Sequence, residues 1–372
     1  MKPKILIDTV SLLSPLTGIG RYTYEISKLL ENDTRLKKTY FYGYFSRELL
    51  YRSKEGDFKY VKQLISKFPL FKKFIRKCIT FSSKFFTSKY DLYWQPNFIP
   101  NKEIIAKKVI TSVHDFSFIL HKEFHPKERI EYFENNFFQN IYRSDMIITG
   151  SEFSKREILQ RLDFKASQVK VIYHGLNHKL FKVLEDRSID FKLPKKFIFS
   201  VGSIEPRKNL LGLLQAYNLL DKTLKESYHL VLAGFKGWEN KEIMELIELN
   251  KSHIHYLGFL SDEDLVKTYN LASLFVFPSF YEGFGLPVLE AMACGTPVVC
   301  SDYSSLPEVG GDAVVYCNPK SIEDIKEKME YVLKDATPQD KMQKAGIKRA
   351  KNFTWEKSAK EHLKVFEEVL QS

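Results

Sequence analysis

Residues 277–297 read FPSFYEGFGLPVLEAMACGTP, and no other stretch of the chain says as much about its fold. An apolar run at 274–277 leads into a loop with two glycines, and Pro287 stands where the first turn of a helix would begin. In a parallel sheet such a loop lies at the carboxyl end of a strand, where the next helix offers unpaired N–H groups and partial positive charge. The stretch therefore predicts an anion-binding strand–loop–helix unit.

Two carboxylates border this loop. Glu282 precedes Gly283 and Gly285, and Glu290 follows in what we expect to be the first turn of the helix. Ionised carboxylates accept hydrogen bonds from paired hydroxyls, so one acid can hold a ribose and the other a transferred sugar. The helix dipole alone also favours an acid in a first turn, which explains Glu290 without any function. That explanation does not extend to Glu282.

Strand and helix patterns alternate on both sides of this unit, which predicts two doubly wound parallel sheets. We expect a glycine-bearing loop at 17–20 followed by a helix at 21–30, and an amphipathic helix at 354–370. The expected strands are 4–8, 108–113, 146–149 and 169–173 in the first series and 197–201, 230–233, 255–257 and 274–277 in the second.

A polar passage without periodicity follows the strand at 169–173, and we expect the interdomain linker there. The prediction is an α/β protein with a first Rossmann-like domain over 1–176, a linker over 177–196 and a second Rossmann-like domain over 197–353. A C-terminal helix over 354–372 is expected to cross back to the first domain.

Residues 200–209, SVGSIEPRKN, follow another strand of the second series and lead into a helix. Arg207 offers a planar fork of N–H groups and Lys208 a compact charge, and both can stabilise a departing diphosphate. Taken alone, a basic pair after a strand is equally well explained as a solvated surface pair.

The run Ser261-Asp262-Glu263-Asp264 has two interpretations. Ser261 can cap a helix whose acidic first turn complements the helix dipole. The acids also spell a DxD metal motif, which needs further ligands to hold an ion. Capping accounts for all of them, so we expect no metal.

Composition limits the classes of function. The 372 residues are 44% hydrophobic and 28% charged, with a net charge of +11, which indicates a folded protein with anionic partners. The four cysteines form no CxxC pair, and no apolar stretch has the length of a signal sequence or a membrane span, so we expect a cytoplasmic protein. The charge also permits a non-catalytic nucleic-acid-binding protein, although no motif of that class accompanies it.

Residues 59–89 hold nine basic residues and no acidic one, with apolar residues at roughly helical spacing. This pattern predicts either a helix that lies on an anionic membrane surface or a helix whose apolar stripe packs on the sheet. Both possibilities stay open.

Several ordered motifs resemble the retaining glycosyltransferases of family 4, which have the two-domain GT-B fold. The resemblance extends through most of the chain. The motifs that carry it are GIGRYT at 18–23, HDFSF at 114–118, TGSEFSK at 149–155, VIYHG at 171–175, GSIEPRKN at 202–209 and EGFGLPVLEAMACGTPVV at 282–299.

The resemblance implies roles for the residues of the glycine loop. Glu282 is expected to contact the donor sugar and Glu290 the ribose of the nucleotide. The backbone around Phe284, Gly285 and Leu286 is expected to lie against the diphosphate and the sugar.

It also implies that the first domain binds the acceptor and the second the donor nucleotide, and it implies roles for residues outside that loop. Arg207 and Lys208 fall on the phosphate-binding stretch, Gly18 and Gly20 on a first-domain loop that closes over the sugar donor, and His114 beside the reacting sugar. Many relatives carry Arg where this chain has Ser203 in the donor-binding stretch, and we hypothesise that Arg207 supplies the missing guanidinium.

The activity implied is transfer of a hexose from a nucleoside-diphosphate sugar, with mannose from GDP-mannose as first choice, and no metal or other cofactor. A saccharide or lipid-linked saccharide acceptor at the cytoplasmic membrane, in surface polysaccharide synthesis, is expected. The alternatives are an inverting transferase with His114 as general base, a sugar-nucleotide epimerase or phosphorylase on a similar scaffold, and the nucleic-acid-binding protein.

Overall fold

The structure is a computed structural model that describes residues 2–13, 18–50, 90–238 and 240–372. The basic segment at 59–89, predicted to meet a membrane or the sheet, lies outside these residues. Within them the chain forms two sheets with helices on both faces, which is the predicted pair of Rossmann-like domains. No helix in the described ranges is long and apolar enough to cross a membrane.

The first sheet has the order β3-β2-β1-β4-β5-β6-β7, and its strands are parallel except for β3. Its strands are β1 Lys4–Asp8, β2 Lys37–Phe41, β3 Phe45–Ser46, β4 Tyr90–Gln95, β5 Ala106–Ser112, β6 Met146–Thr149 and β7 Val169–Val171. The helices described with it are α1 Gly18–Glu31, α2 Ser117–Leu120, α3 Lys127–Ile141 and α4 Glu152–Arg161. Ile5, Leu6 and Ile7 of β1 are all buried, as expected for a strand covered on both faces.

The second sheet is all parallel and has the order β10-β9-β8-β11-β12-β13. Its strands are β8 Phe197–Val201, β9 His229–Ala233, β10 Ile254–Tyr256, β11 Leu274–Phe277, β12 Val298–Ser301 and β13 Val315–Cys317. Its helices are α5 Leu210–Asn218, α6 Lys222–Ser227, α7 Lys241–Leu249, α8 Asp262–Leu271, α9 Leu286–Ala293, α10 Leu306–Gly310, α11 Ile322–Lys334 and α12 Ala336–Ala350. The strand order reverses between β8 and β11, where open α/β sheets bind ligands.

The last helix, α13 Trp355–Gln371, leaves the second domain and packs in the core of the first, as predicted. A chain of buried hydrogen bonds holds it there. Trp94 donates to the Ser112 hydroxyl (3.1 Å), which is bonded to the Tyr22 hydroxyl (2.9 Å). His362 donates its Nδ1 proton to the Ser358 carbonyl (2.8 Å), so its Nε2 accepts a hydrogen bond from the Tyr22 hydroxyl (2.7 Å).

The chain crosses between the domains at two points that touch each other. Leu176 and Thr354 form a parallel β-bridge, and a Cβ added at Gly175 would lie 2.1 Å from the backbone nitrogen of Trp355. Only glycine fits there, so the two crossings form one narrow connection. Phe181, from the segment expected as linker, is buried in the core of the second domain.

The predicted loop at 17–20 is wrong for its described residues, because Gly18, Ile19 and Gly20 form the first turn of α1. This turn lies against Leu286 of the second domain, whose Cδ1 would be 3.7 Å from a Cβ added at Gly18, an ordinary van der Waals distance. Sequence patterns also missed several strands, namely β2, β3, β4, β12 and β13. Of the four cysteines, Cys294, Cys300 and Cys317 are free and buried.

Candidate active site

Glu282 lies in the loop between β11 and α9 and is held by two cations. Lys208 donates to its Oε1 (2.6 Å) and Arg207 to its Oε2 (3.0 Å). Arg207 also donates to the Tyr281 carbonyl (2.8 Å) and to Glu205 (3.0 Å). Burial acts to raise the pKa of Glu282, but Arg207 and Lys208 outweigh it and lower the pKa to about 2. The carboxylate is therefore a fixed anion.

The turn with Arg207 and Lys208 follows β8, and the loop with Glu282 follows β11. The two meet because β8 and β11 are neighbours in the sheet. After β8 the chain makes a 3-10 turn, Pro206–Lys208, which ends at Asn209 in the left-handed conformation with φ 54°. The Asn209 amide donates to the carbonyls of Pro278 (3.1 Å) and Pro319 (2.6 Å), and Phe280 N–H donates to the Arg207 carbonyl (3.0 Å). Asn209 thus joins the basic turn to the end of β11.

Two serines hold the glycine loop in place, and one of them, Ser304, accepts from the Glu282 N–H (3.0 Å). Ser305 donates to the carbonyls of Glu282 (2.9 Å) and Phe284 (2.8 Å), which turns both carbonyls into the protein. Gly285 has φ 110° and caps α9, and a Cβ there would lie 2.5 Å from Leu306. The N–H groups of Val288 and Leu289 bind the Gly285 carbonyl (3.1 and 3.4 Å), while those of Gly285 and Leu286 have no hydrogen-bond partner among the described residues. These two N–H groups and the positive end of the helix dipole suit a phosphate at the start of α9.

Glu290 lies just beyond the first turn of α9, and not within it as the sequence indicated, because the helix begins at Leu286, before the expected start at Pro287. The dipole explanation for this acid is therefore wrong. Tyr269 donates to its Oε2 (3.1 Å), and Arg21 Nη1 lies 3.8 Å from its Oε1 while Nη2 binds Asp262 (2.6 Å). Burial raises the pKa of Glu290 to about 7, which Arg21 and Tyr269 only partly offset.

His114 follows β5 on the opposite side of the cleft. Its Nε2 is bonded to the Pro96 carbonyl (2.8 Å), which can only accept, so Nε2 carries the proton and Nδ1 a lone pair. The ring packs edge-on against Tyr22 (5.1 Å) and Phe98 (5.4 Å). Burial lowers the pKa of His114, so the imidazole is neutral at physiological pH.

The two halves of the site touch at Gly283. A Cβ added there would lie 2.3 Å from the carbonyl oxygen of His114, and Ser151 of the first domain donates to the Gly283 carbonyl (2.9 Å). The Tyr281 hydroxyl also crosses the cleft, where it accepts from Phe116 N–H (3.0 Å). The loop that carries Glu282 is thereby fixed beside His114.

The structure thus brings together Glu282, Arg207 and Lys208, with the backbone of Phe284 to Leu286 beside them and Gly18 across the cleft. The Phe284 ring packs on His174 (4.8 Å), whose ring in turn contacts that of His114 (5.7 Å). Ser203 is half-buried after Gly202, against which the Lys208 side chain packs. Gly20 is buried within α1. The catalytic and binding roles given to these residues stay predictions.

Sequence reasoning missed five residues that bind or pack against the charged side chains and the histidine of this site. Arg21 lies in the GIGRYT motif but had no expected role, and Asp262 was interpreted as an acid of a capped first turn or as part of a DxD motif. Ser261 does cap α8 by accepting from Asp264 N–H (3.1 Å). The others are Glu205, Tyr22 and Tyr269. In the described part of the chain, no group of three or more His, Cys, Asp or Glu side chains is placed to hold a metal ion.

A cation-bound acid at the switch point of one Rossmann-like domain, in a loop that touches the backbone of His114 in a second such domain, is typical of a two-domain enzyme of the GT-B class. The family model described as "Glycosyl transferases group 1" matches residues 183–349. The chain is 33% identical over 373 residues to O-antigen chain mannosyltransferase B of Escherichia coli, covering 95% of this chain and 96% of that protein. The protein belongs to the group 1 glycosyltransferases and is a glycosyltransferase.

Solved structures agree with this fold. Sucrose-phosphate synthase from Thermosynechococcus elongatus superposes with a TM-score of 0.71 at 20% identity, over 100% of both chains. HepE of Anabaena in complex with UDP-glucose gives a TM-score of 0.70 at 17% identity, over 98% of this chain and 99% of that one. The epimerase and the nucleic-acid-binding protein, left open by the sequence, are not favoured.

Proposed function

We propose that the enzyme transfers mannose from GDP-mannose to a saccharide or lipid-linked saccharide acceptor in surface polysaccharide synthesis, with retention of the anomeric configuration. The observation that carries the proposal is Glu282, ionised and fixed by Arg207 and Lys208 at the start of α9, opposite His114. Similarity over nearly the whole chain to an O-antigen mannosyltransferase supports mannose as the sugar.

In this proposal the diphosphate lies at the N–H groups that begin α9. Lys208 uses one N–H on Glu282, and Arg207 uses three of its five N–H groups on Tyr281, Glu282 and Glu205. The remaining hydrogens and the helix dipole stabilise the charge that develops on the departing nucleotide. Arg207 thus holds Glu282 in place and also supplies positive charge beside Ser203.

Glu282 then accepts hydrogen bonds from hydroxyls of the donor sugar, and Glu290 binds the ribose. The bond between the anomeric carbon and the diphosphate oxygen breaks, and the acceptor oxygen bonds to that carbon on the same face. The acceptor proton goes to the departing diphosphate, so no protein nucleophile is needed. His114, neutral and held by Pro96, positions the reacting sugar.

No metal or other cofactor takes part in the proposed reaction, because Arg207, Lys208 and the helix N-terminus supply the positive charge. We expect full activity in excess EDTA. We also propose that the enzyme works in the cytoplasm at the inner membrane surface, through residues 59–89. Replacing several lysines of that segment by glutamate should weaken binding to anionic liposomes at low salt. Unchanged binding would refute the proposed attachment to the membrane.

The test is acceptor-dependent release of nucleoside diphosphate from a panel of sugar nucleotides, followed by NMR of the product's anomeric proton. We expect GDP release from GDP-mannose and an α-linked product. Lys208→Met should lower turnover by about 10²-fold or more, whereas Lys222→Met, an exposed lysine of the same domain, should have no effect. A β-linked product would make His114 the base of an inverting enzyme, and nucleotide release that no acceptor accelerates would refute transfer.

A further inference from the structure

Among the described residues, helix α4 of the first domain is hydrogen-bonded to the second domain at three points. One is the contact of Ser151, its N-cap, with the Gly283 carbonyl. The other two each involve a glutamate: Glu308 of α10 accepts from the start of α4, and Glu157 of α4 accepts from Tyr281. Each domain thus contributes one carboxylate to the contact.

Glu308 binds the N-terminus of α4 from the opposite side of the cleft. Its Oε2 accepts from Glu152 N–H (2.8 Å) and its Oε1 from Phe153 N–H (2.6 Å). These residues begin the helix, where N–H groups have no acceptor within the helix and the helix dipole is positive. Arg349 donates to the carbonyls of Glu308 (2.5 Å) and Val309 (3.1 Å) and fixes α10. A carboxylate with one N–H on each oxygen is therefore held in a single orientation.

Tyr281 reaches in the reverse direction, from the loop of Glu282 into the first domain. Its side chain is fully buried, and its hydroxyl donates to Glu157 and accepts from Phe116 N–H (3.0 Å). Glu157 is itself only 7% exposed, and the Phe153 ring packs edge-on against the phenol (5.8 Å). The phenol is thereby fixed between α4 and the loop that follows β5.

Both contacts act on the backbone that carries Glu282. Tyr281 precedes this acid and Gly283 follows it, so its neighbours on both sides are bound to the first domain. Glu308 belongs to α10, and the serine that precedes α10 donates to the Glu282 carbonyl (2.9 Å). Movement of α4 against the second domain would therefore shift Glu282 with respect to His114.

We propose that Glu157 and Glu308 are positioning residues for glycosyl transfer, which together align the loop of Glu282 with His114. They act through Tyr281 and through α4, and the proposal requires no contact between these two carboxylates and a sugar. Misplacement of reacting groups by about 1 Å can lower a rate about 10²-fold. The proposal rests on the proposed transfer reaction and adds two residues that align its halves.

The first test compares Glu308→Gln with Glu356→Gln. Glutamine keeps the shape of Glu308 but loses its charge and replaces one acceptor oxygen by an amide that faces a helix N–H. Glu356 is the matched control, because it is an exposed acid in the first turn of α13. We expect Glu308→Gln to lower kcat about tenfold or more, whereas Glu356→Gln should match the wild type. The KM for GDP-mannose should stay within about twofold, because the groups proposed to hold the diphosphate belong to the second domain.

Glu157 provides a second pair of variants at the other contact. Glu157→Gln keeps an oxygen that accepts from the Tyr281 hydroxyl, whereas Glu157→Leu has none. We expect Glu157→Gln to keep a kcat within about threefold of the wild type and Glu157→Leu to lose about tenfold or more. A role in stability alone would lower the melting temperature and leave the kcat of folded enzyme unchanged. All rates are therefore measured well below the lowest melting temperature of the set.

Amide hydrogen exchange measures the Glu308 contact without turnover, in the full-length enzyme with GDP present. We expect the N–H groups of Glu152 and Phe153 to exchange faster in Glu308→Gln than in the wild type. The proposal is overturned if their exchange is equal in the two proteins, or if it is faster while kcat is unchanged. A wild-type kcat in Glu157→Leu would overturn it as well. A wild type that binds GDP but turns over no sugar nucleotide would instead refute the proposed transfer alone.

Discussion

Glu282 and Glu290 belong to one loop–helix unit, are both 7% exposed, and differ sharply in charge state. Glu282 has two cations within 3.0 Å and a pKa lowered to about 2, whereas Glu290 has a tyrosine hydroxyl, a guanidinium at 3.8 Å and a pKa raised to about 7. Burial acts in the same direction on both acids. The difference between them comes from their neighbours, so equal burial does not imply equal function.

The comparison assigns different tasks to the two acids. Glu282 is a permanent anion that organises Arg207 and Lys208 and accepts hydrogen bonds from sugar hydroxyls. Glu290 changes its charge close to neutral pH, so it can accept from ribose hydroxyls when ionised and donate to them when protonated. The surroundings of Glu282 stabilise a fixed negative charge, and those of Glu290 allow hydrogen bonding in either protonation state.

Glu282→Gln should produce the largest effect. The substitution leaves Arg207 and Lys208 buried with Glu205 as their remaining acid, and removal of one partner from a buried ion pair costs about 3–5 kcal/mol. Turnover should fall by about 10²-fold or more. Urea denaturation and the rate of nucleotide release measure the two effects. An unfolding free energy equal to that of the wild type would contradict the fixed-anion account.

Glu290→Gln should change stability in the opposite direction at neutral pH. The pKa of Glu290 is raised on folding from 4.5 to about 7, so the folded state binds more protons and wild-type stability falls as pH rises from 4.5 to 7. Glutamine does not titrate, so the variant should gain up to about 3 kcal/mol relative to the wild type across that window. Denaturation at a series of pH values between 4 and 8 tests this, and a constant difference would refute it.

The same series of measurements continued to lower pH isolates Glu282. Its pKa is lowered on folding from 4.5 to about 2, so its contribution is present above pH 4.5 and is lost as pH falls toward 2. The stability difference between the wild type and Glu282→Gln should therefore shrink below pH 4.5. If it stays constant there, the cations do not hold this carboxylate as described.

Arg21→Met should have a smaller effect, on the domain contact near Glu290. Arg21 joins the first domain to Asp262 and lowers the pKa of Glu290 against the effect of burial. We expect the KM for the sugar donor to rise about tenfold and the pKa of Glu290 to move further upward. The KM is read from initial rates and the pKa from carboxyl NMR. A donor KM within twofold of the wild type would argue against this contact.

Ser305→Ala should have the smallest effect. The serine hydroxyl donates to the carbonyls of Glu282 and Phe284, and loss of such a bond costs about 1 kcal/mol. The melting temperature should fall by a few degrees, with turnover lowered by severalfold at most. A loss as large as that of Glu282→Gln would show that loop position, and not charge, governs the site.

The sequence predicted the alternation and the two strand ends that carry Glu282, Arg207 and Lys208, because local patterns and motif spacing carry that information, but it did not predict the ion pairs among these residues. It placed the starts of α1 and α9 too late, at residues 21 and 287 and not at Gly18 and Leu286, since helix starts depend on capping geometry such as the left-handed Gly285. It could not find Arg21 beside Glu290, because that contact joins residues far apart in the chain. The opposite pKa shifts depend on such contacts and were likewise out of reach.

The most direct measurement is a crystal structure of the enzyme with GDP-mannose bound. We expect the diphosphate at the start of α9 within hydrogen-bonding distance of Lys208, the mannose hydroxyls on Glu282 and the ribose on Glu290. A nucleotide bound away from the β8–β11 switch point, with Glu282 still enclosed by Arg207 and Lys208 and touching no sugar, would contradict the assignment of this cluster to the sugar donor.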